Sequence, residues 1–215
     1  MTRTWAWALP ATLTVSIDDE RNPVQAKRII EDEHRSLAAV LHGMLYVVRE
    51  IRYVGIKPDF VLLEAMVHYI DAFQERFHHP KEDAYLFKLL GSRYPGAAAL
   101  LDRLKQEHGS GAVKLRELRQ ALTHYRDGGS AEFPEFAALV AGYAAFHWEH
   151  MRLEENDLLP LAERHLTDAD WDAIDAAFLG HTDPMLGAEQ GDEYRELFRR
   201  IVNLAPPPIG VAPVR

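Results

Sequence analysis

The chain has 215 residues, of which 47% are hydrophobic and 27% are charged, so it is long enough to bury one bundle-sized core. Its formal net charge is −9 and its basic residues are spread along the sequence, which excludes an extended surface for nucleic acid or anionic lipid. It contains no cysteine, which excludes disulfides, thiolate chemistry and iron–sulfur ligation. Any bound metal must therefore be held by histidine and carboxylate side chains.

Residues 1–22 are predicted to form an N-terminal extension. An apolar run from Trp5 to Ile17 follows Arg3, but Pro10 and several threonines interrupt it and no clear cleavage site follows. No stretch approaches the ~20 consecutive apolar residues that a helix needs to cross a bilayer. We therefore expect a mature, cytoplasmic protein without a membrane partner, with extended chain over residues 12–17.

Four long segments with helical periodicity come next, separated by glycine and proline. Gly55, Gly91 and the Gly128-Gly129 pair are placed to end helices in left-handed conformations. Because the connections have only a few residues, consecutive helices must run antiparallel. The sequence predicts an all-α, up-down-up-down four-helix bundle over residues 23–166. Its helices are predicted from Pro23 to Val54, Pro58 to Leu90, Pro95 to Arg126 and Phe133 to His165.

A C-terminal helical extension is predicted over residues 167–204. Thr167 and Asp170 have the spacing of a capping box, and they open a shorter amphipathic helix that we expect to reach about Gly180. A second helix is predicted from Glu189 to Asn203. Residues 205–215 are rich in proline and are predicted to be a disordered tail.

A histidine interrupts the apolar face of each of the four long helices. Residues three, four or seven positions apart share one face of a helix. On that face, apolar residues surround His34, His78, His108 and His150, one in each helix in chain order. A single histidine on an apolar face is more often a satisfied core residue than a ligand. Whether the four histidines lie close together therefore decides whether they are interpreted as core residues or as metal ligands.

The spacing places all four histidines at one height in the bundle. Two residues of an antiparallel pair lie level when the turn is midway between them in sequence. The midpoint of His34 and His78 is residue 56, that of His78 and His108 is residue 93, and that of His108 and His150 is residue 129. All three midpoints fall in predicted connections, so four imidazoles are expected in one layer.

Two glutamates are predicted to join this layer. Glu82 follows His78, and Glu154 follows His150, by four residues, which is about 6 Å along a helix axis. The second and fourth helices lie diagonally across the bundle, so the two carboxylates would reach its centre at one height and could bridge two metal ions. The alternative is a buried network of neutral histidine and protonated glutamate. Unpaired buried carboxylates cost several kcal/mol, so metal binding explains the set better.

These residues resemble the motifs of the hemerythrin-like, or HHE cation-binding, family, and the resemblance covers roughly residues 24–165. It implies a non-haem centre of two iron ions joined by an oxo or hydroxo group and bridged by Glu82 and Glu154. It further implies that His34 and His150 serve one iron, and His78 and His108 the other. Zinc and manganese stay open, since histidine and carboxylate also suit them. The matching segments are Glu33-His34-Arg35, Phe77-His78-His79-Pro80-Lys81-Glu82-Asp83, Glu107-His108 and His150-Met151-Arg152-Leu153-Glu154-Glu155.

Within that family, the ligand set is closest to bacterial di-iron proteins linked to nitric-oxide stress and iron–sulfur repair, and it also resembles eukaryotic iron-sensing hemerythrin domains. Oxygen-carrying hemerythrins have two histidines one turn apart on the third helix, whereas Leu104 and Ala112 flank His108 here. The bacterial repair proteins usually carry a cysteine-containing N-terminal domain, and this sequence has no cysteine. These departures weaken the transfer of either function.

Several alternatives stay open at this point. The first function is binding or sensing of O₂, NO or iron at the centre. The second is an enzyme that acts on peroxide or O₂, or that supplies iron for cluster repair. A zinc-containing or metal-free structural bundle is a third. His79, His147 and Glu155 are further candidate ligands, of which His147 is favoured because it shares the apolar face of the fourth helix. A small diatomic partner, O₂ or NO, is expected, no nucleic-acid partner is expected, and a homodimer stays open.

Overall fold

The computed structural model describes residues 25–180, together with residues 197, 199 and 203. These residues form helices and short connections with no β-strand among them, so the all-α prediction is confirmed. No helix in this part of the chain combines the length and the apolar character that crossing a membrane requires. The elements predicted at residues 1–22, 189–203 and 205–215 lie outside the described residues, apart from three positions.

Four long helices surround a common interior, and a fifth packs at one end. The first helix is Gln25–Tyr53 and the third is Ala98–Gly128. The second helix continues over residues 60–93, the fourth over 133–165, and the fifth is Asp168–Leu179. Each long helix contacts the next one along the chain, and the fourth contacts the first. The short connections require consecutive helices to run antiparallel.

The second and fourth helices change their winding along their length. Three segments are π-helical, with the wider i→i+5 turn that is frequent at functional sites. They are Ile70–His78 and Glu82–Phe87 in the second helix and Glu154–Leu158 in the fourth. The α-helical parts are Phe60–Tyr69, His79–Lys81, Lys88–Arg93, Phe133–Leu153 and Leu159–His165.

Proline accounts for two of these wide segments. Pro80 and Pro160 each come two residues after a π-helical segment ends, at His78 and at Leu158. Proline has no N–H to donate, and its ring collides with the carbonyl four residues earlier. A wider turn before the proline moves that carbonyl away without breaking the helix. The distortion at Pro80 is therefore a change from π-helical to α-helical turns, and it lies beside the candidate ligand His78.

The predicted helix ends are mostly confirmed. Gly55 and Gly129 have φ of 76° and 78°, the left-handed region in which glycine is favoured, and they follow the first and third helices. Thr167 accepts from the backbone N–H of Asp170 while the Asp170 carboxylate accepts from the backbone N–H of Thr167, so the predicted capping box is present.

The prediction that Gly91 ends the second helix is wrong. Gly91 lies inside the α-helical part Lys88–Arg93. A Cβ built there would lie 3.2 Å from Leu101 Cδ1, so the glycine permits close packing against the start of the third helix. The helix ends instead because Tyr94 precedes Pro95 and takes a non-helical conformation with φ −136° and ψ 89°.

Two apolar clusters lie on either side of a buried polar layer. The larger cluster includes Met44, Leu63 and Phe136, and the smaller includes Ile30 and the Phe178 ring of the fifth helix. Along all four long helices, buried polar residues fall between the stretches that build the two clusters. These polar residues are Glu33, His34, Gln74, His78, His79, Glu82, His108, His147, His150 and Glu154.

Candidate metal centre

The four predicted histidines meet inside the bundle. His34 Nε2 lies 3.2 Å from His78 Nε2, and the ring centroids of His108 and His150 are 4.9 Å apart. All four side chains are buried, with at most 6% of their surface exposed. The structure therefore brings one imidazole from each long helix into a single layer.

Glu154 lies between the two histidine pairs. Its Oε2 is 3.2 Å from His34 Nε2, while its Oε1 is 3.4 Å from His150 Nε2 and 3.6 Å from His108 Nε2. The π-helical turn begins at Glu154, which follows its helix partner His150 by four residues. One carboxylate thus directs one oxygen to each pair, as a bridging ligand does.

Glu82 approaches from the second helix. Its Oε2 lies 3.5 Å from the Nε2 atoms of both His78 and His108. Both carboxylate oxygens of Glu82 and Glu154, and the Nε2 atoms of His108 and His150, are buried and have no hydrogen-bond partner among the described residues. Buried polar atoms are rarely left in this state, because each one costs its lost hydration.

A pair of divalent cations fits this set of atoms. Imidazole nitrogen and carboxylate oxygen are ligands for iron, zinc and manganese alike, and cations would satisfy the unpartnered atoms of both glutamates. The potential ligand atoms form two sets, each with all its atoms within 4.8 Å of one another. The first set is His34, His78, Glu82 and Glu154, and the second set is His79, His108 and His150.

The histidine pairing differs from the one that the resemblance implied. His34 lies with His78, and His108 lies with His150, instead of His34 with His150 and His78 with His108. The first pair comes from the first and second helices, and the second pair from the third and fourth. Both pairings join helices that contact each other, so the distances between the rings, and not helix adjacency, give this grouping.

Each of these histidines donates its Nδ1–H to a carboxylate other than Glu82 and Glu154, which we call its outer carboxylate. The donor–acceptor pairs are His34 with Glu155 (2.9 Å), His78 with Glu33 (2.6 Å), His108 with Asp83 (3.2 Å) and His150 with Glu107 (3.0 Å). Such bonds fix the tautomer and direct the Nε2 lone pair inward, and they are the usual support of metal-binding histidines.

These outer carboxylates form a closed ring around the bundle. Each acid is the sequence neighbour of an inner-layer residue on one helix and holds the histidine of the adjacent helix. Glu33 beside His34, for example, holds His78 on the second helix. Sequence reasoning missed this role, although all four acids were visible in the motifs, each one next to an inner-layer residue. Glu155, a candidate ligand, lies at the outer nitrogen of His34 and belongs to neither set.

His79 and His147 are both buried beside the second set, and the structure places His79 nearer. A ring nitrogen of His79 joins those of His108 and His150, whereas His147 is in neither set. The rings of His79 and His108 stack with centroids 4.2 Å apart and planes inclined by 13°. An ion lies in the plane of an imidazole that binds it, so two stacked rings cannot share one ion. The geometry favours a role for His79 beside the ion.

Burial and opposite charges set the protonation of the layer in the metal-free protein. Burial lowers the pKa of His34 and of His108, but the nearby Glu154 carboxylate and the hydrogen bonds and charges of their outer carboxylates outweigh it and raise both pKa values to about 9. Burial and the charge of Glu154 raise the pKa of Glu82. Burial also disfavours charge on Glu154, but its histidine neighbours lower its pKa. Metal binding must therefore displace protons from the layer.

Three further buried histidines are held neutral. Burial, reinforced by nearby imidazoles, lowers the pKa values of His78, His79 and His147 well below their ordinary value. Burial raises the pKa of Glu75, which lies against His79, to about 7. Neutral imidazoles are the form that binds metal ions or shares hydrogen bonds with small ligands.

A groove of about 320 Å³ between the first and fourth helices reaches the first set from the surface. Its lining includes His34, Trp148 and Glu155, and the Glu155 side chain is 42% exposed. One inner-layer histidine and its outer carboxylate therefore stand next to solvent.

Comparison with known families gives one match. A family model described as the hemerythrin HHE cation binding domain matches residues 26–162. This range contains every inner-layer residue and every outer carboxylate, and it ends before the fifth helix. Searches of curated proteins and of solved structures found no significant match.

Proposed function

Because the chain belongs to the hemerythrin HHE cation-binding domain family, we propose that it is a non-haem di-iron protein that binds or senses O₂, NO or iron. The observation that carries this proposal is the placement of the two inner glutamates. Glu82 and Glu154 each lie within 3.6 Å of ring nitrogens from both histidine pairs. This arrangement suits a carboxylate-bridged dinuclear centre.

Each part of the chain has a defined task in this proposal. His34 and His78 hold one ion, His108 and His150 hold the other, and the outer carboxylates keep the imidazoles aligned. The iron pair, when bound, supplies a redox-active centre with coordination positions for a diatomic ligand. The apolar clusters on either side keep water from the layer, which strengthens the electrostatic interactions within it.

The test is to purify the protein anaerobically from iron-supplied cells, determine its metal content, and record optical spectra with O₂, azide and NO. About two iron ions per chain and a reversible change with O₂ or NO are expected. Fewer than one metal ion per chain would contradict the dinuclear proposal. Two zinc or manganese ions would keep the site and exclude the iron-dependent function.

The groove beside His34 favours supply of iron as a second candidate function. Glu155 holds the His34 ring from a position that is 42% exposed, so a partner or chelator can compete there without unfolding the bundle. If iron leaves by this route, Glu155→Gln should speed iron loss to a chelator. Glu149→Gln, at an exposed position on the same helix, serves as the control, and equal rates in the two variants would exclude this route.

A further inference from the structure

The fifth helix lies outside the residues that the family model matches, yet it packs beside the candidate centre. The match ends at residue 162, and the fifth helix is Asp168–Leu179. This helix contacts the first helix and the segment Glu82–Phe87 of the second. Its last turn carries the fully buried Phe178, whose ring centroid lies 4.8 Å from Lys81 Nζ. The fifth helix therefore meets the second helix one residue before the candidate ligand Glu82.

Lys81 is a buried cation that lies between two partners. Only 8% of its surface is exposed, and lysine is rarely buried to this extent unless its charge is paired. Its Nζ lies 3.9 Å from Glu33 Oε1, so the two side chains form an ion pair. The Phe178 ring is within the ~6 Å range of a cation–π interaction. The ammonium group thus joins a carboxylate of the first helix to an aromatic ring of the fifth.

Glu33 contacts His78 and Lys81 through different oxygens. Its Oε2 accepts a hydrogen bond from His78 Nδ1 at 2.6 Å, and its Oε1 faces Lys81. The Glu33 side chain is fully buried, so water cannot replace either contact. A buried carboxylate loses its hydration, and a neighbouring cation offsets that loss. Lys81 therefore stabilises Glu33 in the orientation that holds His78.

We propose that Lys81 and Phe178 are positioning residues for the first ion. Lys81 stabilises the Glu33 carboxylate at His78, and Phe178 excludes water from the Lys81 ammonium group. The inference rests on the proposed function, because it concerns a ligand of that centre. Neither residue binds the ion itself, since both act through Glu33. The fifth helix thereby completes the support of one ligand, although it lies outside the matched domain.

A double-mutant cycle tests whether Lys81 acts through Glu33. Lys81→Met removes the charge and keeps a long apolar side chain. It should weaken iron(II) binding by the first set about tenfold, as loss of a partner behind a ligand does. In a Glu33→Gln chain, the same substitution should have no further effect, because a neutral amide needs no cation beside it. Anaerobic competition with a chelator measures both steps, and additive losses would overturn the inference.

The reduction potential of the bound iron is a readout that loss of stability alone does not move. Removing a buried positive charge near His78 favours iron(III), so the potential should fall in Lys81→Met. It should stay unchanged in Lys88→Met, the control at an exposed position of the same helix. Phe178→Leu should weaken iron(II) binding several-fold, whereas Thr167→Ala, which removes the cap at the other end of the fifth helix, should not. Equal potentials in the two lysine variants, or equal affinities in the two fifth-helix variants, would contradict the inference.

The metal-free protein tests the contact between Lys81 and Glu33 independently of the ions. Lys81→Met removes a cation next to a buried carboxylate, so it should lower the melting temperature of chelator-treated protein. The same substitution in a Glu33→Gln chain should lower it much less. An equal fall in both backgrounds would overturn the inference. A wild-type chain that binds no pair of ions would instead refute the proposed function, and this comparison could still be made.

Discussion

The two halves of the candidate centre use the same ligand chemistry in different surroundings. In the first set, the histidines lie 3.2 Å apart. The outer carboxylate of His78, Glu33, is fully buried, whereas that of His34, Glu155, is 42% exposed. In the second set, the outer carboxylates Asp83 and Glu107 are 38% and 17% exposed, and the buried His79 ring stacks on His108. The first half therefore combines one fully buried support with one that borders the groove, whereas both supports of the second half are partly exposed.

Removing a bridging carboxylate should have the largest effect, because the carboxylate contacts histidines of both halves and its loss weakens both ion sites. Glu154→Gln takes away the charge that faces both His34 and His150, so we expect it to reduce metal content from about two ions to fewer than one per chain. Metal analysis after purification measures this. Glu163→Gln, at a half-exposed position of the fourth helix, is the control and should keep both ions. Full occupancy in Glu154→Gln would show that the bridge is dispensable.

Double substitutions test whether the halves are correctly divided. With His34 and His78 in one set, replacing both by Ala should remove one ion and leave roughly one per chain. Replacing His34 and His150 by Ala takes one ligand from each set and should empty both. The reverse result would restore the pairing implied by the family resemblance. Metal content and circular dichroism of the two double variants, compared with His78→Ala alone, decide between the pairings.

The outer carboxylates offer a finer comparison. Glu33→Gln and Asp83→Asn each weaken the support of one histidine, and loss of such a partner typically lowers metal affinity about 10–100-fold. The effect should be larger for Glu33, because its side chain is buried and water cannot replace the lost bond, whereas Asp83 is partly exposed. Competition with a chelator measures both affinities. Equal losses would mean that burial does not distinguish the two halves.

Raising the pH should weaken the metal-free protein. His34 and His108 have pKa values raised to about 9 in the folded state, above the ~6.5 of an unfolded histidine. Their contribution to stability is therefore complete below pH ~6.5 and is lost as the pH rises through about 9. We expect the melting temperature of chelator-treated protein to fall by several degrees over this range. Metal-loaded protein should change less, and His34→Leu should reduce the slope; a flat profile in the metal-free wild type would contradict the assignment.

The smallest effect is expected outside the centre, at the capping box of the fifth helix. Thr167→Ala removes the side chain that accepts from the Asp170 N–H, and such losses cost about 1 kcal/mol. Denaturant unfolding measures the change. Because the cap lies away from both sets, metal content should stay at the wild-type value. A change in metal content would show that the cap, as well as Phe178, is coupled to the centre.

The layer of four histidines was predictable because it depends on periodicity and spacing alone. Three turn midpoints placed His34, His78, His108 and His150 at one height, and the structure brings these side chains together. Their role as metal ligands stays a prediction. The bundle class followed from the same periodicity, and Phe133 and His165 were predicted as the ends of the fourth helix.

Other features depend on contacts between helices that one-dimensional spacing does not encode. The grouping of His34 with His78 depends on which helix faces are closest, and the choice between His79 and His147 depends on winding near Pro80. Gly91 resembled a helix terminator but serves a close contact with Leu101. A glycine in the sequence indicates a turn or a close contact, but it does not show which of the two is present.

The closed ring of outer carboxylates makes the candidate centre sensitive to the alignment of all four long helices. Each long helix supplies an acid that holds the histidine of one neighbouring helix, and its own histidine is held by an acid of the other neighbour. Sliding one helix by a single residue therefore breaks two of the four hydrogen bonds. Packing of apolar side chains alone tolerates such slips more readily. The four hydrogen bonds can therefore form together only when the helices are in the correct register, and only then does the chain present a complete set of ligands to metal.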